Sequence, residues 1–133
     1  MDRGRLRGGK GQSLVELALL MPVLLWICAG AIDFGRVYYY DIVAINAARS
    51  GARMAADSSK DDNAVRAAVR ADAGARIALS DSDINISPTP IRTTGSDARV
   101  TVTYRFAPIT PILSSVIGGN LTVSRSATMV VIY

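Results

Sequence analysis

GQSLVELALLMPVLLWICAGAI, residues Gly11 to Ile32, is the stretch on which the fold turns. From Leu14 to Ile32 it is interrupted only by Glu16 and by Pro22, which lacks a backbone donor and is expected to kink a helix locally. Wound as a helix, that run rises about 28 Å at 1.5 Å per residue, close to the hydrocarbon thickness of a bilayer. Glu16 is the only glutamate in the chain. An ionised, unpaired carboxylate inside hydrocarbon costs roughly 2.5–3.5 kcal/mol on insertion scales, so its position asks for a partner. The bland alternative is that Glu16 protonates, or snorkels to the inner interface a turn away.

Outward from this run, composition narrows the function classes. The 133 residues are 50% apolar and 20% charged, which implies packed structure beside one membrane segment. The net charge of +4 is concentrated at the start. Residues 1–11 carry Arg3, Arg5, Arg7 and Lys10 against Asp2, whereas the remainder is almost balanced. A near-neutral body gives little reason to expect a nucleic-acid partner. The chain has no histidine and a single cysteine, Cys28. That removes histidine-based general base catalysis, Ser-His triads, histidine zinc sites and any intramolecular disulfide. Asp81 and Asp83 are the nearest approach to paired carboxylates, and alternation at the start of a strand accounts for them. The carboxylates of DSSKDDN, residues 57–63, lack the glycine and terminal glutamate of a calcium loop. No metal, cofactor or small-molecule substrate is expected, and no enzymatic activity.

Along the chain, residues 1–11 are glycine-rich, cationic and without apolar periodicity, and are expected to be disordered. Four cationic residues precede the apolar run, whereas Asp33, Arg36 and Asp41 nearly cancel after it. The positive-inside rule therefore puts the N-terminus in the cytoplasm and the body outside, with Trp26 and Tyr38-Tyr39-Tyr40 near the outer interface. Helical character continues to Ala56, with small residues in two i, i+4 rows: Ala44, Ala48, Ala52, Ala56, and Ala47, Gly51, Ala55. Such rows admit a close neighbour, either this chain's own domain or another copy. Asp61 and Asp62 suit the start of a second helix, for which Ala64 to Leu79 offers an apolar face of Val65, Ala68, Val69, Ala73 and Ile77. After Ser80 the period changes to two. Ile84 and Ile86 suggest an edge strand before Pro88 and Pro90. Val100, Val102, Tyr104 and Phe106 alternate with polar residues in a half-buried strand. Pro108 to Ile117 reads as a connection with one helical turn after Pro111, and Leu121 to Tyr133 as a final β-branched strand. The expected class is α+β: a long N-terminal helix that continues beyond the membrane, a short second helix and about three antiparallel strands.

Three readings compete for the leading segment. A basic start, an apolar centre and Ala29-Gly30-Ala31 suit a removable secretory signal, which would release a soluble binding domain after Ala31. A plain signal anchor is the second. Neither needs Glu16. The third is suggested by Gly11-Gln12-Ser13-Leu14-Val15-Glu16, which resembles a prepilin cleavage signal with glutamate fifth in the mature chain. The fifth residues after Gly8 and Gly9 are Ser13 and Leu14, so only a cut after Gly11 fits. More specifically, this motif is similar to those of the TadE-like pseudopilins of tight-adherence (type IVc) pilus systems. Leu20-Met21-Pro22, Asp33-Phe34-Gly35-Arg36, Ala47-Ala48-Arg49 and Gly51-Ala52-Arg53 extend the resemblance through the first 56 residues. Leu17 departs from it, where some such pseudopilins have tyrosine.

The resemblance implies a minor pilin or pseudopilin of the bacterial inner membrane, with residues 1–11 as leader, 12–32 as transmembrane and assembly helix and 33–133 as extracytoplasmic domain. It implies a prepilin peptidase cutting between Gly11 and Gln12, and partners among other pilins, pseudopilins and the assembly platform. Glu16 would be the subunit-docking residue, meeting the new amino group of a neighbouring Gln12.

Overall fold

The computed structural model describes residues 9–89, 92–111, 114–115 and 118–132. The expected disorder of residues 1–8, the Pro90 interruption, the helical turn centred on residues 112–117 and the strand end at Tyr133 lie wholly or partly outside these residues. Helix α1 spans Gly9–Ala55 and runs through Pro22. It already contains Gly9–Gly11, which glycine content alone assigns to the leader. Once an apolar helix is nucleated, each further residue adds a hydrogen bond at small entropic cost. Helix α2 spans Asp62–Ala73. Strands β1 (Ile84–Ser87), β2 (Asp97–Phe106) and β3 (Leu121–Val130) form an antiparallel sheet in the order β1-β2-β3. The fold is α+β.

The outer half of α1 and the whole of α2 cover one face of this sheet. Val100, Val102, Tyr104 and Phe106 alternate inward along β2 and meet Ala44, Ala47, Ala48, Ala52 and Ala55 of α1 in a single buried cluster. Alanine at those positions lets the helix axis approach the sheet closely. Gly51 is the tightest point. A Cβ there would lie 2.5 Å from Val69 Cγ2 on α2 and 3.0 Å from Val100 Cγ1 on β2. Three elements converge where one side chain is missing.

Helix α2 is shorter than its apolar periodicity predicts. Asp61 accepts the Ala64 N–H at 2.8 Å as N-cap, and Gly74, at φ 58°, ends the helix by donating its N–H to Arg70 O. Glycine reaches this left-handed region without the penalty of a Cβ. Ile77 is therefore extended, yet it remains on the core because a short 3₁₀ turn, Gly74–Arg76, returns the chain to the same side. Asp81–Asp83 is likewise a 3₁₀ turn and not the start of a strand. Ser80 caps it reciprocally with Asp83, a local bond that competes with extended backbone. Strand β3 stops at Val130. Val131 then donates to Ser96 O and accepts from Gly95, and Ile132 donates to Ala56 O at 3.0 Å, closing the far end of the domain onto the end of α1.

Candidate functional site

Helix α1 has two contrasting halves. From Gly11 to Cys28 every residue is exposed, including Leu14, Leu19, Leu25 and Trp26. This segment is long and apolar enough to cross a membrane. An amphipathic core helix hides an apolar stripe from water, whereas this one is apolar all round and packs on nothing in its own chain. The second half turns one face inward, at Ala44, Ala47, Ala48, Gly51, Ala52 and Ala55. The small-residue rows therefore pack on this chain's own α2 and β2. A close approach of another copy along that face is sterically blocked in this conformation.

At the exposed end, Gly11, Gln12, Val15, Glu16 and Leu19 line one shallow concavity on the side of the helix. Gln12 and Glu16 are four residues apart, so their side chains stack on one face about 6 Å apart along the axis. Among the described residues no hydrogen bond or ion pair holds the Glu16 carboxylate. Cys28 is exposed further along the same helix.

Asp33 is the first residue after the apolar run and the point where the two halves join. Its side chain is fully buried. It accepts hydrogen bonds from the Thr110 hydroxyl at 2.7 Å, from the Thr110 N–H at 2.9 Å and from the Ile109 N–H at 3.1 Å. Arg36, one turn on, adds a charge-assisted bond at 3.0 Å. These donors lower the Asp33 pKa to about 2, the Thr110 hydroxyl contributing most and the Thr110 and Ile109 N–H groups next, against an opposing push from desolvation. The Arg36 guanidinium also lies 5.0 Å from the centre of the Phe106 ring and 5.9 Å from that of Tyr40. Tyr40 in turn meets Tyr104 edge-on, and the Tyr104 hydroxyl reaches Val37 O at 3.5 Å. Asp33-Phe34-Gly35-Arg36 is thus a latch between helix and sheet. From the sequence alone, Asp33 and Arg36 read only as residues of the family resemblance and as charges that cancel beyond the membrane. An acid and a base at i, i+3, next to an apolar run, were the available signal, but a partner 77 positions away was not readable.

Several other charged residues are also committed to structure. Asp57 accepts the Ser59 N–H at 2.9 Å and the Ser59 hydroxyl at 2.6 Å, which holds its pKa below the usual carboxylate range. Asp62 receives Arg92 at 3.0 Å, and Arg92 also donates to Lys60 O at 2.7 Å. Asp81 pairs with Arg70, whose helix lies across the same face. Among the described residues no group of three or more histidine, cysteine, aspartate or glutamate side chains is positioned to hold a metal.

Residues 11–53 match the family model described as TadE-like protein. That stretch is TadE-like. It begins at Gly11, includes Glu16 and the Asp33–Arg36 latch, and ends two residues before α1 does. The TadE-like stretch is less than half of the chain, and α2 and the sheet lie outside it. Within it fall the exposed apolar half of α1 and all of the small-residue face except Ala55. No curated protein and no solved structure matches the chain.

Proposed function

We propose that this chain is a minor pilin or pseudopilin of a tight-adherence (type IVc) pilus system, a structural and assembly component and not an enzyme. The observation that carries the reading is the exposed half of α1: some five helical turns that are apolar on every side, with one carboxylate a single turn beyond Gln12. The TadE-like match over this helix supports it. In this reading the helix sits in the inner membrane with its N-terminus cytoplasmic and the α+β domain outside. A prepilin peptidase cuts between Gly11 and Gln12, and the new ammonium group of one subunit meets Glu16 of the next. Pairing offsets the desolvation of both charges, which favours one axial register between helices. The apolar surface then exchanges lipid for neighbouring helices of pilins, pseudopilins or the assembly platform.

N-terminal sequencing and intact mass of the protein isolated from membranes test this. A mature chain beginning at Gln12 is expected. A chain beginning at Ile32 would establish the secreted-domain alternative instead.

A further inference from the structure

The latch fixes more than the angle between helix and sheet. Helical side chains lean toward the N-terminus, so the Asp33 carboxylate lies level with the last residues of the apolar run. The two N–H groups it holds belong to Ile109 and Thr110, which places their loop, residues 107–111, at that same level. Ile109 is 68% exposed there, although its own backbone is pinned. Ala29, one turn before Asp33 on the same side of the helix, is already half-buried inside the apolar run. An exposed isoleucine at this depth is an apolar contact for the interfacial zone.

The charges above the loop are of one predominant sign. Arg36, Arg76 and Arg105 line a hollow of about 300 Å³ floored by Phe106 and Tyr104. Asp83 also lines it; the Ser80 hydroxyl and N–H hold its carboxylate in the ionised form, and Arg105 adds to this, so three guanidinium groups face one carboxylate across the hollow. Arg36 is held by Asp33, while the Arg76 and Arg105 side chains are exposed. Arg36 stands about 6 Å beyond Ile32 along the helix axis, within the headgroup layer of a bilayer that α1 spans.

We propose that residues 107–111, with Arg76 and Arg105 above them, form a second membrane contact that seats on anionic phospholipid headgroups of the leaflet from which α1 emerges. This rests on the reading of α1 as a membrane span. Ile109 enters the interface, the arginines meet lipid phosphates, and the domain is held against the bilayer in one orientation and not left to swing on its helix. That orientation presents the same side of α1 to an incoming subunit each time.

The test uses the full chain in phosphatidylcholine vesicles with and without phosphatidylglycerol. An environment-sensitive fluorophore is attached through Ile109→Cys in a Cys28→Ala background, and through Lys60→Cys at the far end of the domain as reference. Shallow lipid-borne quencher is expected to quench the fluorophore at 109 and not at 60, more strongly with phosphatidylglycerol. Arg76→Gln with Arg105→Gln is expected to lower the docked-to-undocked ratio by about fivefold per arginine at low salt. Trp26 fluorescence, quenched by acyl-chain-labelled lipid, reports the span separately. Quenching of Trp26 with a water-accessible fluorophore at 109 would overturn the second contact and leave the span intact. So would quenching at 109 that neither phosphatidylglycerol nor the arginine substitutions alter. Failure to quench Trp26 would overturn the span and this inference together.

Discussion

Asp33 and Thr110 are joined by two hydrogen bonds to one carboxylate oxygen, from the hydroxyl at 2.7 Å and the backbone N–H at 2.9 Å. The pair links the helix at its emergence from the apolar run to the chain that leaves the central strand. Without it, α1 is attached to the domain mainly through the alanine face further out.

The pH dependence of this link has a definite sign. The folded-state pKa of Asp33 lies near 2, below the value of about 3.9 for an unperturbed aspartate. Its contribution to stability is therefore fully present above pH 4 and is lost as pH falls through the range from 4 to 2. Asp33→Asn should lower stability at neutral pH and flatten the acid limb of the unfolding profile. Thr110→Val should retain the backbone bonds and show a smaller loss. Urea unfolding followed by tyrosine near-ultraviolet circular dichroism across pH 2–7 measures both, and an unchanged acid limb in Asp33→Asn would refute the assignment.

Gly51→Ala should destabilise the domain although alanine is the better helix former. The gain in helix propensity is about 1 kcal/mol. Pushing a Cβ against Val69 and Val100 costs about 1–3 kcal/mol in a packed core. A net loss of up to about 2 kcal/mol is expected, and Val69→Ala in the same chain should recover part of it by removing the clashing methyl. Denaturant midpoints of the single and double variants give the coupling.

Asp61→Ala removes the N-cap of α2 and should cost about 1 kcal/mol. Arg125→Gln, which breaks an ion pair with Asp41 at 2.6 Å, should cost about 1–3 kcal/mol because it leaves the buried Asp41 Oδ1 without its cation. The ordering of these two variants in a thermal melt is the check: loss of the cation beside a buried carboxylate oxygen outweighs loss of the exposed cap.

Glu16→Ala is expected to leave the protein cleaved and membrane-inserted but to abolish its incorporation into pili or assembly complexes. Gly11→Leu should instead leave an uncleaved chain in the membrane. Mass spectrometry of the membrane fraction separates the two defects. Normal piliation with Glu16→Ala would remove the docking role.

The sequence by itself determined the elements whose signal is local. The apolar run with its single carboxylate, the period-two pattern from Val100 to Phe106 and the Asp61 cap each depend on residues within a turn or a strand of one another. Local chemistry also explains two departures: Gly74 stops α2 by its positive φ, and Ser80 turns the backbone at Asp81–Asp83 through reciprocal capping. Only the tertiary structure decided which surface the alanine rows would cover, because small residues state that something approaches closely and not what. It also decided the role of Asp33. A carboxylate beside an apolar run looks the same whether it faces solvent, lipid or backbone donors. Its burial depends on Ile109 and Thr110 arriving from the end of β2, and that meeting is set by how β2 packs on α1, not by any residue next to Asp33 in the chain.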